Sequence, residues 1–164
     1  MQLDLHFLMG QALEEARKGL REGEVPVGAV VCDQGGRIIS RAHNRPICLC
    51  DPTAHAEILA LRSAGSSLGN YRLEEATLVV TLEPCFMCMG AAVNARISRL
   101  VYGAADPKFG AAGSLYSLHQ DERLNHRVEV VPRIMEKECR KIMQDFFRDR
   151  RQEVKNPGEV PKWS

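Results

Sequence analysis

Two cysteines three residues apart, Cys85 and Cys88 in the stretch TLEPCFMCMG, are the first side chains whose types and spacing could do chemistry. A Cys-x-x-Cys pair serves as a redox couple, a disulfide, half of a metal site, or two packed thiols. The redox motif follows an early strand in thioredoxin-like patterns, whereas here two strand-like and two helical segments come first. The metal reading gains from a second short motif, His55-Ala56-Glu57, at the start of the preceding helical segment. Positions i and i+3 of a first helical turn put both sulfurs on one face. His55 and Glu57 stand about 200° apart on a regular helix, so they address one point only if it lies off the helix N-terminus. Helix starts carry partial positive charge and unpaired N–H groups, which favour a thiolate.

One His and two Cys make three ligands. A closed structural zinc site takes four, whereas three protein ligands and an open position are the pattern of a catalytic metal, which lowers the pKa of a water from about 15.7 towards about 7. Glu57 then reads as a proton shuttle beside that water. Bland readings stay open beside this one: His55 alone as a helix-end histidine, Glu57 alone as a solvated charge. Cys50, in the CLC run just upstream, would close the site if it were a fourth ligand. Otherwise Cys48 and Cys50 read as loop thiols, and Cys32 and Cys139 as core residues.

The elements that must position these groups follow from hydrophobic periodicity. Leu5, Leu8, Met9, Ala12, Ala16 and Leu20 recur at three and four, an amphipathic helix. VPVGAVVC and RIISRAH flank DQGG as two strands of a hairpin. DPTAHAEILALRSAG reads as a helix capped by Asp51, with Pro52 in its first turn and Gly65 at its end. ATLVVTL is a continuous apolar strand, Pro84 opens a helix over CFMCMGAAVNAR, and RLVYGA is the next strand, a spacing that predicts parallel pairing. After the loop DPKFGAAGSL come a short strand, RVEVV, and a last helix from about Arg133 to Arg151. The order predicts an α/β fold, five strands in a mixed sheet with helices on both faces.

The chain of 164 residues is expected to form one domain over residues 1–154 with a frayed tail, 155–164, and to bury roughly 70% of its unfolded surface. Its formal charge is +1, so nucleic-acid binding would need a local basic patch. From Arg133 to Lys155 there are eight Lys/Arg against five Asp/Glu, the local excess that the whole-chain charge hides. No stretch has the 18 or so apolar residues of a membrane span, and the N-terminus lacks the pattern of a secretory signal. Six cysteines without such a signal point to reduced thiols and a cytoplasmic setting.

The HAE and PCFMC pair resembles the signature of zinc-dependent nucleobase deaminases. The resemblance extends through EVPVGAV, HNRPI, DPTAHAEI, NYRL, TLEPCFMCMGA, GAAGSL, NHRVEV and DFFRDRRQE, from about residue 24 to residue 153, and is to the bacterial tRNA-specific adenosine deaminases. It implies a cytidine deaminase-like three-layer α/β/α sandwich, a homodimer, and conversion of adenosine to inosine at the wobble position of an arginine tRNA anticodon. By matching position it implies one Zn2+ per subunit on His55, Cys85 and Cys88, with Glu57 moving protons. It implies that Asn44 hydrogen-bonds the purine and that the Ala56 N–H and the turn at Val25 line the base pocket. Asp106 and Lys108 match a loop beside the flipped nucleotide. Phe146, Phe147, Arg150 and Arg151 match a helix facing the anticodon stem-loop, one Phe being core.

One departure from the family pattern stands out, and two rival readings stay in view. ICLC stands where the family commonly has polar or basic residues. A deaminase of free guanine, cytidine or adenosine would share the metal chemistry without needing the Phe/Arg helix. A zinc-stabilised RNA-binding module without catalysis is the rival of another class.

Overall fold

The runs that read as strands pair into one mixed sheet. In the computed structural model, which describes residues 2–155, β1 (Gly28–Cys32), β2 (Ile38–His43), β3 (Thr77–Leu82), β4 (Arg99–Ala104) and β5 (Glu129–Val131) lie in the order β2-β1-β3-β4-β5. β1 runs antiparallel to both β2 and β3, while β3, β4 and β5 are parallel. The helices are α1 (Leu5–Arg21), α2 (Pro46–Leu49), α3 (Ala56–Leu68), α4 (Phe86–Asn94) and α5 (Glu136–Lys155), with one 3-10 turn at Leu118–Gln120.

Strand alternation divides the interior into two cores. Ala29, Val31, Leu78, Val80, Leu100 and Tyr102 pack against Ala56 and Ala60 of α3 and Met89 and Ala92 of α4. Val30, Cys32, Val79 and Val101 pack against Leu8, Met9, Ala12 and Leu13 of α1 and Cys139 of α5. Both faces are therefore covered, which is why β3 is buried at five successive positions, Thr77 to Thr81, rather than at alternate ones. Burying each Val or Leu side chain there contributes about 1.5–3 kcal/mol. The result is the expected three-layer α/β/α sandwich. Gly28 permits the closest layer contact, because a Cβ there would stand 1.9 Å from the Ala12 carbonyl oxygen of α1.

Helix boundaries differ from the sequence expectation, and each difference has a local cause. α3 begins at Ala56, not behind Asp51 and Pro52. The Asp51 carboxylate is taken by the Thr53 N–H at 2.8 Å and hydroxyl at 2.7 Å, a turn that satisfies it before the helix starts. Gly65 lies inside α3, and Gly69 ends the helix at φ 62. α4 starts at Phe86, one residue beyond Cys85 rather than at Pro84. α5 starts at Glu136 rather than Arg133, because Arg133 and Met135 hold positive φ values of 66 and 51 that a right-handed helix excludes. The single turn α2 is not foreseen from sequence. Residues 156–164 of the expected tail lie outside the described residues, and Lys155 is still helical. Among the described residues no helix is long and apolar enough to cross a membrane.

Candidate active site

α3 and α4 bring their first residues together, and the ligand-type side chains sit on those first residues. His55 is the N-cap of α3 and Cys85 the N-cap of α4, both in extended conformation and neither making a side-chain capping bond. An N-cap side chain projects off the end of its helix, so both point at common space instead of lying along a helix flank. Cys88, one turn into α4, is buried beneath them. His55 Nδ1 lies 3.7 Å from Cys85 Sγ and 3.5 Å from Cys88 Sγ. All three ligand atoms fall within 4.8 Å of one another, a group that could hold a metal ion. Among the described residues no other His, Cys, Asp or Glu joins them, so Cys50 is not a fourth ligand. Cys85 and Cys88 are free thiols.

The two sulfurs and the imidazole share protons. Hydrogen bonding from Cys88, reinforced by His55, holds the Cys85 thiol down at about 4. The same bond and burial push the Cys88 thiol strongly up. The hydrogen bond with Cys85 raises His55. Burial pushes Cys32 and Cys139 up to about 11 and about 12, in keeping with core residues.

Glu57, two residues beyond His55 in the first turn of α3, is 4% exposed and reaches the Cys88 side of the trio. Burial raises its carboxyl to about 7, partly offset by its own backbone N–H and by His55. A carboxyl with that affinity both takes and gives a proton near neutral pH. His55, Glu57, Cys85 and Cys88 thus converge as the sequence spacing requires.

Asn44 is buried, and its Oδ1 accepts from the Ala56 N–H at 2.8 Å. The N–H that the resemblance assigns to the base pocket is thus used to fix Asn44, leaving the Asn44 side-chain nitrogen as the donor in this corner. Val25 is half-buried in a tight turn, its carbonyl accepting from the Val27 N–H at 2.8 Å. Asp106 caps its own loop, Oδ1 accepting from Lys108 N–H at 3.0 Å and Phe109 N–H at 3.2 Å, while Lys108 is exposed. In α5, Phe146 is core at 2% exposure and Phe147 is 44% exposed. Phe147 and Arg151 share a groove of about 240 Å³ with Leu82, Ala104 and Ala105, which brings α5 to the root of the Asp106 loop. Arg150 stacks over the Phe146 ring at 5.3 Å. Cys48 and Cys50 are exposed on and just after α2.

The buried carboxylates not foreseen from sequence include Glu24 and Glu83. Glu24 accepts from the Cys48 N–H at 2.7 Å and the Ile47 N–H at 3.4 Å, anchoring α2. Glu83, just ahead of Pro84 and Cys85, accepts from the N–H groups of Asp106, Ala112 and Ser114 and from the Ser114 hydroxyl. Each bonds to residues more than twenty positions away, and only the burial of an acid inside the EVPVG and LEPC runs could have hinted at it.

Residues 4–151, which span this fold and this site, match the family model of the MafB19-like deaminases, and the chain belongs to that family. It is 48% identical over 148 residues to the tRNA-specific adenosine deaminase of Haemophilus influenzae, covering 90% of this chain and 86% of that protein. Against the tRNA-specific adenosine deaminase of Bacillus subtilis it is 48% identical over 147 residues, 90% and 91% of the two chains. A solved structure from a study of A-to-I editing by tRNA deaminases at the wobble position of transfer RNA superposes with a TM-score of 0.80 at 46% identity, covering 83% of this chain and 98% of that one.

Proposed function

We propose that this protein is a zinc-dependent tRNA adenosine deaminase, hydrolysing adenosine to inosine at the wobble position of an anticodon. The chemistry is carried by one observation: the His55, Cys85 and Cys88 ligand atoms within 4.8 Å, with the buried Glu57 carboxyl beside them. The substrate is supported by the relatives at 48% identity over nine-tenths of the chain. Zinc is supported by the spacing. Tetrahedral bonds of about 2.3 Å to sulfur and about 2.0–2.1 Å to nitrogen require N···S separations of about 3.6 Å, against 3.5 and 3.7 Å here. Cys48 and Cys50 stand outside that set.

Zinc, when bound, supplies a hydroxide at neutral pH by lowering the pKa of water towards about 7. Glu57 accepts the proton released as the water oxygen bonds to C6 of adenine, and delivers it to N1. Glu57 next carries the remaining hydroxyl proton to the amine as the C6–N6 bond breaks, so that adenosine and water become inosine and ammonia. Asn44 donates from its side-chain nitrogen to the purine, held in that orientation by Ala56. Burial of Glu57 and Cys88 excludes bulk water from the proton path. The base must leave its stack, at a cost of a few kcal/mol that is least in an unpaired anticodon loop.

Asp106, Lys108, Phe147, Arg150 and Arg151 grip the stem-loop around the flipped base, with stacking and charge rather than base-pair reading. The groove joining Phe147 and Arg151 to Ala104 and Ala105 supports a shared surface for this grip. The remaining assignments are an arginine tRNA as substrate, a homodimer, and a cytoplasmic setting.

The test is a substrate panel: an arginine anticodon stem-loop with adenosine at the wobble position, the same loop with that adenosine moved, free adenosine, cytidine and guanine. Inosine at the wobble position alone is expected. A B. subtilis guanine deaminase structure, 38% identical with a TM-score of 0.57 over 60% of this chain and 63% of that one, makes guanine the sharpest control. Turnover of guanine without turnover of the stem-loop would overturn the reading.

A further inference from the structure

We infer that Glu83 is a positioning residue, whose buried carboxylate sets the loop 105–116 against the metal-ligand helix so that the loop can seat a polynucleotide. This deepens the tRNA deaminase reading and rests on it. The carboxylate is 2% exposed and is surrounded by donors from one loop. Oε2 accepts from the Asp106 N–H at 2.9 Å and from the Ser114 hydroxyl. Oε1 accepts from the Ala112 N–H at 3.1 Å and the Ser114 N–H at 2.9 Å. Both ends of the loop are thus tied to one side chain. Gly110 completes the fit: a Cβ there would stand 2.4 Å from the Glu83 Cδ and Oε2 and 2.5 Å from the Asp106 carbonyl oxygen.

The same residue is continuous with the metal site. Glu83 precedes Pro84 and Cys85, and the loop bonds back to that segment through the Ala111 N–H to the Pro84 carbonyl at 2.8 Å. Cys85 and Gly110 form a further backbone bridge. What the clamp presents outward is Lys108 and Phe109 at one tip and Leu115 and Tyr116 at the other, all exposed. A polynucleotide seated over the ligand trio meets these side chains, whereas a free base that fits the trio alone does not. Ala111 and Ala112 root the loop in the core and Tyr116 meets the Phe86 ring of α4 edge-on at 5.6 Å. Four hydrogen bonds to one carboxylate, two of them from a single serine, fix the loop's two ends relative to each other.

Glu83→Gln keeps the shape but replaces one accepting oxygen by an NH2 that faces N–H donors. In the zinc-loaded full-length enzyme, KM for the anticodon stem-loop is expected to rise about tenfold, with kcat within about threefold and zinc content unchanged. Hydrogen exchange should speed up at the Asp106, Ala112 and Ser114 amides and not in α4. Ser114→Ala, which removes one donor and leaves the fold's buried carboxylate in place, should shift KM the same way by about two- to threefold. Wild-type turnover of the stem-loop controls for the functional reading: its absence sinks that reading. With the wild type active, an unchanged KM in both variants, or a loss of zinc with a matching fall in kcat, overturns the assignment of Glu83 to loop positioning.

Discussion

The ligand trio and the last turns of α5 both stand near the ends of β3 and β4, but they are built on opposite terms. The trio uses short side chains fixed at or next to helix starts, enclosed by core, with separations of 3.5 and 3.7 Å. The α5 end uses long, exposed side chains, Arg150, Arg151 and Phe147, along open grooves. Bond-making demands distances held to tenths of an ångström, which only packing and backbone attachment provide. Holding a polyanion demands charge and stacking area, which tolerate motion. The difference predicts that damage to the first region appears in kcat and damage to the second in KM.

The hardest blow to that division is Glu57→Gln. It should lower kcat on the stem-loop by about 10²–10⁴ while zinc content and KM stay near wild type. Retention of more than a tenth of kcat would mean proton transfer is not a property of the buried region. Next in size is a stability effect confined to the same region, read in chelator-treated protein. The Glu57 carboxyl sits at about 7 when folded against an ordinary 4.5, so its contribution is fully present below about pH 4.5 and is lost as pH rises towards 7. Chelated Glu57→Gln should therefore match wild type near pH 4 and exceed it at pH 8, by on the order of 3 kcal/mol. Denaturant melts at the two pH values measure this, and equal stabilities at pH 8 would contradict the burial. Smallest is the effect at the open end. Arg151→Ala or Arg150→Ala should raise KM by about three- to tenfold, leave kcat alone, and flatten the dependence of log KM on log salt by about 0.7 each. A kcat defect with no change in salt slope would erase the distinction between the regions.

Legibility in the sequence follows the range of the interactions. Helix α1, the apolar β3 run and the parallel β3–α4–β4 unit were readable because periodicity and turn spacing are local. The trio was readable because Cys85 and Cys88 share one turn, and because His55 and Glu57 make sense together only off a helix end. The start of α3 was misread because Asp51-Pro52 satisfies every local rule for a cap. The chain uses that carboxylate for Thr53 instead, and the residue at the N-cap of the helix is His55. Glu24 and Glu83 were not legible at all. Their partners lie 23 to 31 residues away, in segments whose approach depends on the finished sheet. A charged residue one or two positions ahead of a proline carries no mark of that. Phe146 and Phe147 show the middle case, where sequence says one of two is core and packing decides which.

The two helices that frame the site begin on His55 and Cys85, positions at which most helices carry a serine, threonine or aspartate to close the first turn. An ion gripped there would serve as the common end-piece of both, joining the two helices of one layer at their tips. Loading of metal and firmness of that layer then become a single equilibrium, so scarcity of the ion would be felt as softening of the protein in step with the emptying of the site.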